Sequence, residues 1–238
     1  MLKYLLFISS ILYGFCLLAD IDDEIVLGGK SDSDAIITST YHQPLNITFA
    51  KNDVKSYYYS GEYEKSIKQV AGIAMECLDS YQKAERKDKL AVVFSIDECA
   101  LSTFTYEVNS DFAYNQSTFE EFIATDEETL IKPTLELFNK AKEMGIATFF
   151  ITNRRSSLKD VTEKNLKRLG YDGWTGISFK PDDQPSVGTR VPYKVEQRQK
   201  LYKDGYTIII NLGNQLSDFE GGYAEHCFKY PNPFYYVP

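Results

Sequence analysis

Three short apolar runs constrain this chain most, at residues 89–96, 146–151 and 206–212, and each breaks off at polar residues. The first, Lys-Leu-Ala-Val-Val-Phe-Ser-Ile, runs into Asp97-Glu98. The second ends at Thr152-Asn153-Arg154-Arg155, and the third at Gly213-Asn214. Runs this short, apolar at successive positions, suit strands buried on both faces of a parallel sheet. Helical spacing fills the intervals. It appears at 62–84 (Ile67, Val70, Ala74, Cys77, Leu78, Tyr81), 133–144, 158–169 and 193–203. Pro133 fits a first-turn position, and Gly145 and Gly170 stand where their helices stop. Alternating strands and helices predict an α/β fold, with a mostly parallel central sheet and helices on both faces. The polar strand ends then converge on one edge, where such sheets bind ligands.

The length of 238 residues suits one domain with a small insertion. A formal charge of −8, with no dense Lys/Arg cluster, argues against nucleic acid or an anionic membrane as partner. Lys3, the apolar Tyr4–Leu18 stretch and the small Ala19 read as a signal peptide over residues 1–19, which predicts a secreted or periplasmic protein. That stretch falls short of the ~20 residues that span a bilayer, so no stable membrane insertion is expected after cleavage. Residues 20–58 read as a polar, irregular arm wrapping the surface, with Tyr57-Tyr58-Tyr59 packing it to the body. Cys77, Cys99 and Cys227 remain after cleavage. They permit one Cys77–Cys227 disulfide or three buried free thiols, and their spacing matches no metal motif. Asn46-Ile-Thr48 and Asn115-Gln-Ser117 are glycosylation sequons.

Read together, the strand ends resemble the four motifs of the haloacid dehalogenase (HAD) superfamily, and within it the class III acid phosphatases and vegetative storage proteins. The resemblance runs from about Lys89 to the C-terminus. It includes Ile131-Lys132-Pro133-Thr134, Phe149-Phe150-Ile151-Thr152, Thr162-Glu163-Lys164-Asn165-Leu166, Gly170-Tyr171-Asp172-Gly173-Trp174 and the closing Phe228–Tyr236 segment. It implies a HAD-like three-layer Rossmannoid domain over 59–238, with a small cap at about 103–128 that sets specificity. Phe104, Tyr106, Phe112 and Tyr114 of that cap either contact substrate or pack it onto the body, and packing is the favoured reading.

The resemblance also implies a chemistry. An aspartate attacks phosphorus, a second aspartate two residues on acts as acid and base, and Mg²⁺ neutralises charge between nucleophile and phosphate. Asp97 matches the acid/base. Thr152, Lys194 and Arg198 match the phosphate-binding residues. The metal positions are the nucleophile, the Asp97 backbone carbonyl, Asn214 and Asp218. Two departures stand out, since Ser95 occupies the nucleophile position and Asn214 that of a metal-binding aspartate. A neutral hydroxyl and a neutral amide are poor Mg²⁺ ligands, so the resemblance with these changes predicts weak or absent metal binding. Losing two carboxylates beside Lys194, Arg198 and Arg154 leaves a more positive pocket, suited to phosphate or a small phosphomonoester. The expectation is a phosphatase scaffold with impaired catalysis. A weakly active phosphatase and a storage or interaction protein are the alternatives. A serine hydrolase is disfavoured, because no Gly-x-Ser-x-Gly elbow surrounds Ser95.

Overall fold

The computed structural model describes residues 44–83, 88–183 and 190–236; the signal segment expected at 1–19 lies outside them. The chain divides at Phe49–Ala50, and the fold is that of the second unit, Ala50–Pro238. Residues 47–59, expected as irregular arm, form helix α1 (Ile47–Tyr59). The helix has no fully buried residue, so no continuous apolar stripe marks it in the sequence. Its half-buried Val54, Tyr57 and Tyr58 pack against the core. Tyr58 stacks on Phe104 with ring centroids 3.5 Å apart and on Tyr63 at 5.4 Å.

Helix α2 (Glu62–Ser80) leads to the central strand β1 (Lys89–Phe94). Then come β2 (Leu101–Ser102), α3 (Phe104–Asn109), α4 (Gln116–Ile123), β3 (Thr129–Leu130) and α5 (Lys132–Glu143). The order continues with β4 (Ala147–Arg155), α6 (Lys159–Arg168), β5 (Gly176–Lys180), α7 (Arg190–Lys203), β6 (Tyr206–Gly213) and β7 (His226–Lys229). Five strands form one parallel sheet in the order β5-β4-β1-β6-β7. The predicted α/β architecture is thus the observed one, with β5 and β7 as edge strands beyond the three apolar runs.

Side chains alternate across β1 with the period of two that a strand imposes. Val92 and Phe94 join α2 and α5 residues such as Ile67, Leu78, Leu137 and Phe138 in the larger core. Ala91 and Val93 face the opposite layer with Phe149, Ile151, Ile208 and Tyr193 of α7. Both faces of the strand are therefore buried, which is why its sequence is apolar throughout. Cys77, Cys99 and Cys227 are free thiols, and Cys227 is exposed, where the free-thiol reading had placed all three inside.

The topology fixes the site. The chain leaves β1 toward β4 and β5 on one side, then returns to β6 and β7 on the other. Loops at the C-terminal ends of β1, β4 and β6 therefore diverge around a crevice. Over it stand α3 and α4, carried by a two-stranded antiparallel sheet that pairs Leu101 with Leu130 and Ser102 with Thr129. This α3–α4 insertion occupies the segment expected as a cap.

The β1 exit is sharply turned. Glu98 adopts φ of +47°, a left-handed conformation that costs a non-glycine residue energy. Its buried carboxyl compensates by accepting from Tyr63 Oη at 2.7 Å, Ser102 Oγ at 3.0 Å and both the amide and hydroxyl of Thr103. One acidic side chain thereby ties α2, the cap root and the turn that presents Asp97. Replacing Tyr63 with Phe leaves that carboxyl one donor short, and we expect a loss of about 1–3 kcal/mol in urea unfolding.

Candidate functional site

A cavity of about 290 Å³ opens between the sheet edge and the cap insertion. Ser95, Asp97, Lys194 and Asn214 all line it, so four of the seven candidate residues meet there. The Lys194 ammonium sits 3.5 Å from Ser95 Oγ and forms a short ion pair with Asp218 Oδ1. Lys194 and Asp218 are each only 3% exposed. The other oxygen of Asp218 accepts the amides of Asn214 and Gln215, both at 2.9 Å. Asp218 thus stands one layer behind the cavity, with both oxygens engaged. Gly213 is required beside it, because a Cβ at that position would collide with the Asp218 carboxyl.

Thr152 and Arg198 are not brought to the cavity wall. Thr152 is buried, and its Oγ1 accepts the Arg154 amide at 3.1 Å. Arg198, 1% exposed, donates to the backbone carbonyls of Asp218, Glu220 and Gly222. It clamps the loop after β6. That loop is rich in glycine and turns through positive φ at Gly221 and Gly222, so a buried cation on its carbonyls gives it a fixed course.

Arg154 is the principal residue whose role sequence spacing understated. Its side chain is fully enclosed between two acids. Nε and Nη2 donate to Asp97 Oδ1 at 3.1 and 2.7 Å, while Nη1 and Nη2 reach the two oxygens of Glu128. Burial disfavours the guanidinium charge, but Asp97 and Glu128 outweigh it and hold the group more firmly charged than usual. Thr162 and Asn165 of α6 complete the network, Asn165 donating to Glu128 at 2.7 Å. This gives a physical reason for the Thr162-Glu163-Lys164-Asn165-Leu166 pattern. The closing segment is explained likewise. Tyr235 lines the cavity and its Oη accepts Asn214 Nδ2 at 3.0 Å, while Tyr230 Oη accepts the Thr134 hydroxyl, also at 3.0 Å.

The four cap aromatics divide evenly. Phe104 packs on Tyr58 and Phe234, and Tyr106 bonds the backbone of Asn115. Phe112 and Tyr114 instead line the cavity, joined by Phe119.

Glu107 of α3 also lines the cavity, and periodicity gave no signal for it. It is 4% exposed, and its carboxyl is pushed up to about 8 by burial and by the facing Glu98 and Asp97 charges. The folded protein therefore keeps this proton between an ordinary 4.5 and about 8, where the unfolded chain releases it. Stability from Glu107 is present at low pH and is lost as pH rises through that window. Glu107→Gln removes the slope. Its melting temperature is expected to match the parent near pH 5 and exceed it at pH 8.5.

With this geometry established, comparison with known proteins decides the family. The model of the HAD superfamily, subfamily IIIB (acid phosphatase), matches residues 36–238. The chain belongs to this subfamily. Among its relatives, the stem 28 kDa glycoprotein of Glycine max is 31% identical over 191 residues, covering 77% of this chain and 73% of the relative. Vegetative storage protein 1 of Arabidopsis thaliana is 33% identical over 150 residues, covering 61% of this chain and 55% of that protein. The class C acid phosphatase of Bacillus anthracis shares the fold with a TM-score of 0.65 at 21% identity, covering 80% of this chain and 85% of that one. As an acid phosphatase subfamily member related to storage proteins, the chain comes from a lineage whose HAD chemistry ordinarily uses Mg²⁺.

Proposed function

We propose that this chain binds phosphate or a small phosphomonoester on an acid phosphatase scaffold whose hydrolytic step is impaired. The observation that carries the reading is the company of Ser95. At the position where the family resemblance puts an attacking carboxylate stands a hydroxyl, 3.5 Å from the Lys194 ammonium. The hydroxyl is a weak nucleophile without a base, and the Lys194 ammonium, paired with Asp218, cannot accept its proton.

The donor set does not fit Mg²⁺. This hard cation prefers charged oxygen ligands and gives up its water reluctantly. Ser95 and Asn214 offer neutral groups. Both Asp218 oxygens are held by Lys194 and two backbone amides. Asp97 Oδ1 is held by Arg154. An anion is the better match. Lys194, Arg155 and Lys180 line the cavity, and the Lys194 ammonium spends one donor on Asp218 and one on Ser95 while keeping a third. The Bacillus anthracis homologue, seen elsewhere with the phosphate-like tungstate bound, is in keeping with this reading.

Titration calorimetry with inorganic phosphate tests it. Binding is expected at the same affinity with Mg²⁺ or with EDTA, and about tenfold or more weaker in Lys194→Ala. No binding under either condition, or binding only with Mg²⁺, refutes the proposal. A storage role is the second reading, favoured by the relatives named vegetative storage proteins. It asks nothing of the cavity, so phosphate binding separates the two. We also propose secretion through residues 1–19. The sequon residue Asn115 is in keeping with it, being exposed at the first turn of α4.

A further inference from the structure

The cavity is charged in opposite senses on its two walls. The sheet-side wall carries Lys194, Arg154, Arg155 and Lys180 with Asp97, while Asp218 and Glu128 stand behind it in ion pairs with Lys194 and Arg154. The cap wall carries two acids, Glu107 and Glu120, and no base. Three aromatic rings, Phe112, Tyr114 and Phe119, share the cap wall with those acids.

Glu107 makes this asymmetry specific. Among the described residues its carboxyl has no hydrogen-bond or ion-pair partner, although it is 4% exposed and borders the cavity. A buried carboxyl without a partner is costly, and such groups are normally satisfied by something. Asp97 and Asp218, the nearby acids of the site, already have Arg154 and Lys194. Burial and the facing Glu98 and Asp97 charges keep this carboxyl protonated up to about 8, so a cation bound beside it takes the place of that proton. Aromatic faces beside a carboxylate are a favourable setting for an amine or a quaternary ammonium.

We propose that the cavity selects a zwitterionic phosphomonoester, an alkyl phosphate that carries an amino or quaternary ammonium group. This rests on the phosphate-binding reading above. The phosphate lies at Lys194 on the sheet wall, and the cation lies between Glu107 and the Phe112, Tyr114 and Phe119 rings. Glu107 is then the specificity determinant, a role distinct from the phosphate-binding residues.

Calorimetry in EDTA at pH 8.5, where the Glu107 carboxyl is ionised, tests the assignment with three probes on the full chain: inorganic phosphate, choline phosphate, and its isostere without the positive charge, 3,3-dimethylbutyl phosphate. Choline phosphate is expected to bind about tenfold or more tighter than the isostere, as a buried cation–carboxylate and aromatic contact warrants. In Glu107→Gln the preference falls to about equality, while inorganic phosphate binds as before. Equal binding of the two esters by the unmodified chain overturns the proposal even if the variant does not fold. A preference that persists in Glu107→Gln also overturns it. Binding of phosphate without ester preference refutes this inference alone, whereas no binding of any probe refutes the phosphate reading with it.

Discussion

Ser95→Asp/Asn214→Asp is expected to hydrolyse p-nitrophenyl phosphate in the presence of Mg²⁺ at least about 100-fold faster than the unmodified chain. On the proposed reading, the two changes supply the carboxylate nucleophile and the charged metal ligand that the family resemblance implies, and either alone leaves the set short. The structure accommodates both. Ser95 borders the cavity, so a longer side chain extends into open space. Asn214 and Asp are nearly isosteric, and Tyr235 Oη, which now accepts from Asn214 Nδ2 at 3.0 Å, can rotate its proton and donate instead. Lys194, 3.5 Å from Ser95, is placed to pair with the new carboxylate. Asp97 and Lys194, which match the family's acid/base and phosphate lysine, already line the cavity. Turnover measured from pH 4 to 7.5 with Mg²⁺ and with EDTA decides the matter. Metal-independent turnover by the unmodified chain, abolished by Asp97→Asn, sinks the impaired-enzyme reading, and an inactive double variant sinks the claim that these two positions account for the loss.

The parts of this molecule legible in the sequence are those where one strand or one helix suffices to place a residue. β1, β4 and β6 announced themselves because both their faces are buried, and their polar ends had to meet. The meeting of Ser95, Asp97 and Asn214 follows from that, whereas their roles are what the family resemblance implies. β5 was hidden because its residues 176–179 are only half-buried, and β7 because its residues are mostly exposed. Helix α1 was hidden for the same reason. Arg198 matches a family position in the sequence, but its depth is not written there, and its guanidinium turns to the loop after β6. Glu107, Glu128 and Glu98 were beyond reach, since Glu128 is held by Arg154 and Asn165, 26 and 37 residues away, Glu98 takes a donor from Tyr63, 35 residues away, and Glu107 has no such partner among the described residues. Charge burial is a tertiary property, and residue type read along a chain assigns such acids to the surface.

That property makes Arg154 the residue most sensitive to change. Arg154→Met is expected to cost about 3–5 kcal/mol in urea unfolding, because it leaves Glu128 as a buried charge without its cation. The Arg154 and Glu128 side chains are both 0% exposed, whereas Asp97 is 19% exposed and can recruit water. Glu128 keeps only the Asn165 amide, which a neutral acceptor would satisfy as well. The double variant Arg154→Met/Glu128→Gln is therefore expected to recover more than half of the loss, since it removes the orphaned charge and preserves that hydrogen bond. Arg154→Lys is not expected to rescue, because an ammonium cannot reproduce the fork that spans Asp97 and Glu128. The midpoint shifts at constant slope if the native contacts alone are affected. A single variant that costs less than about 1 kcal/mol shows the pair to be screened despite its burial. A double variant as unstable as the single one shows that packing, and not charge, sets the value of Arg154. If the charge account holds, the same arginine that fixes Asp97 at the cavity also locks the cap root to α6, so the acid of the site and the orientation of the cap depend on one buried group.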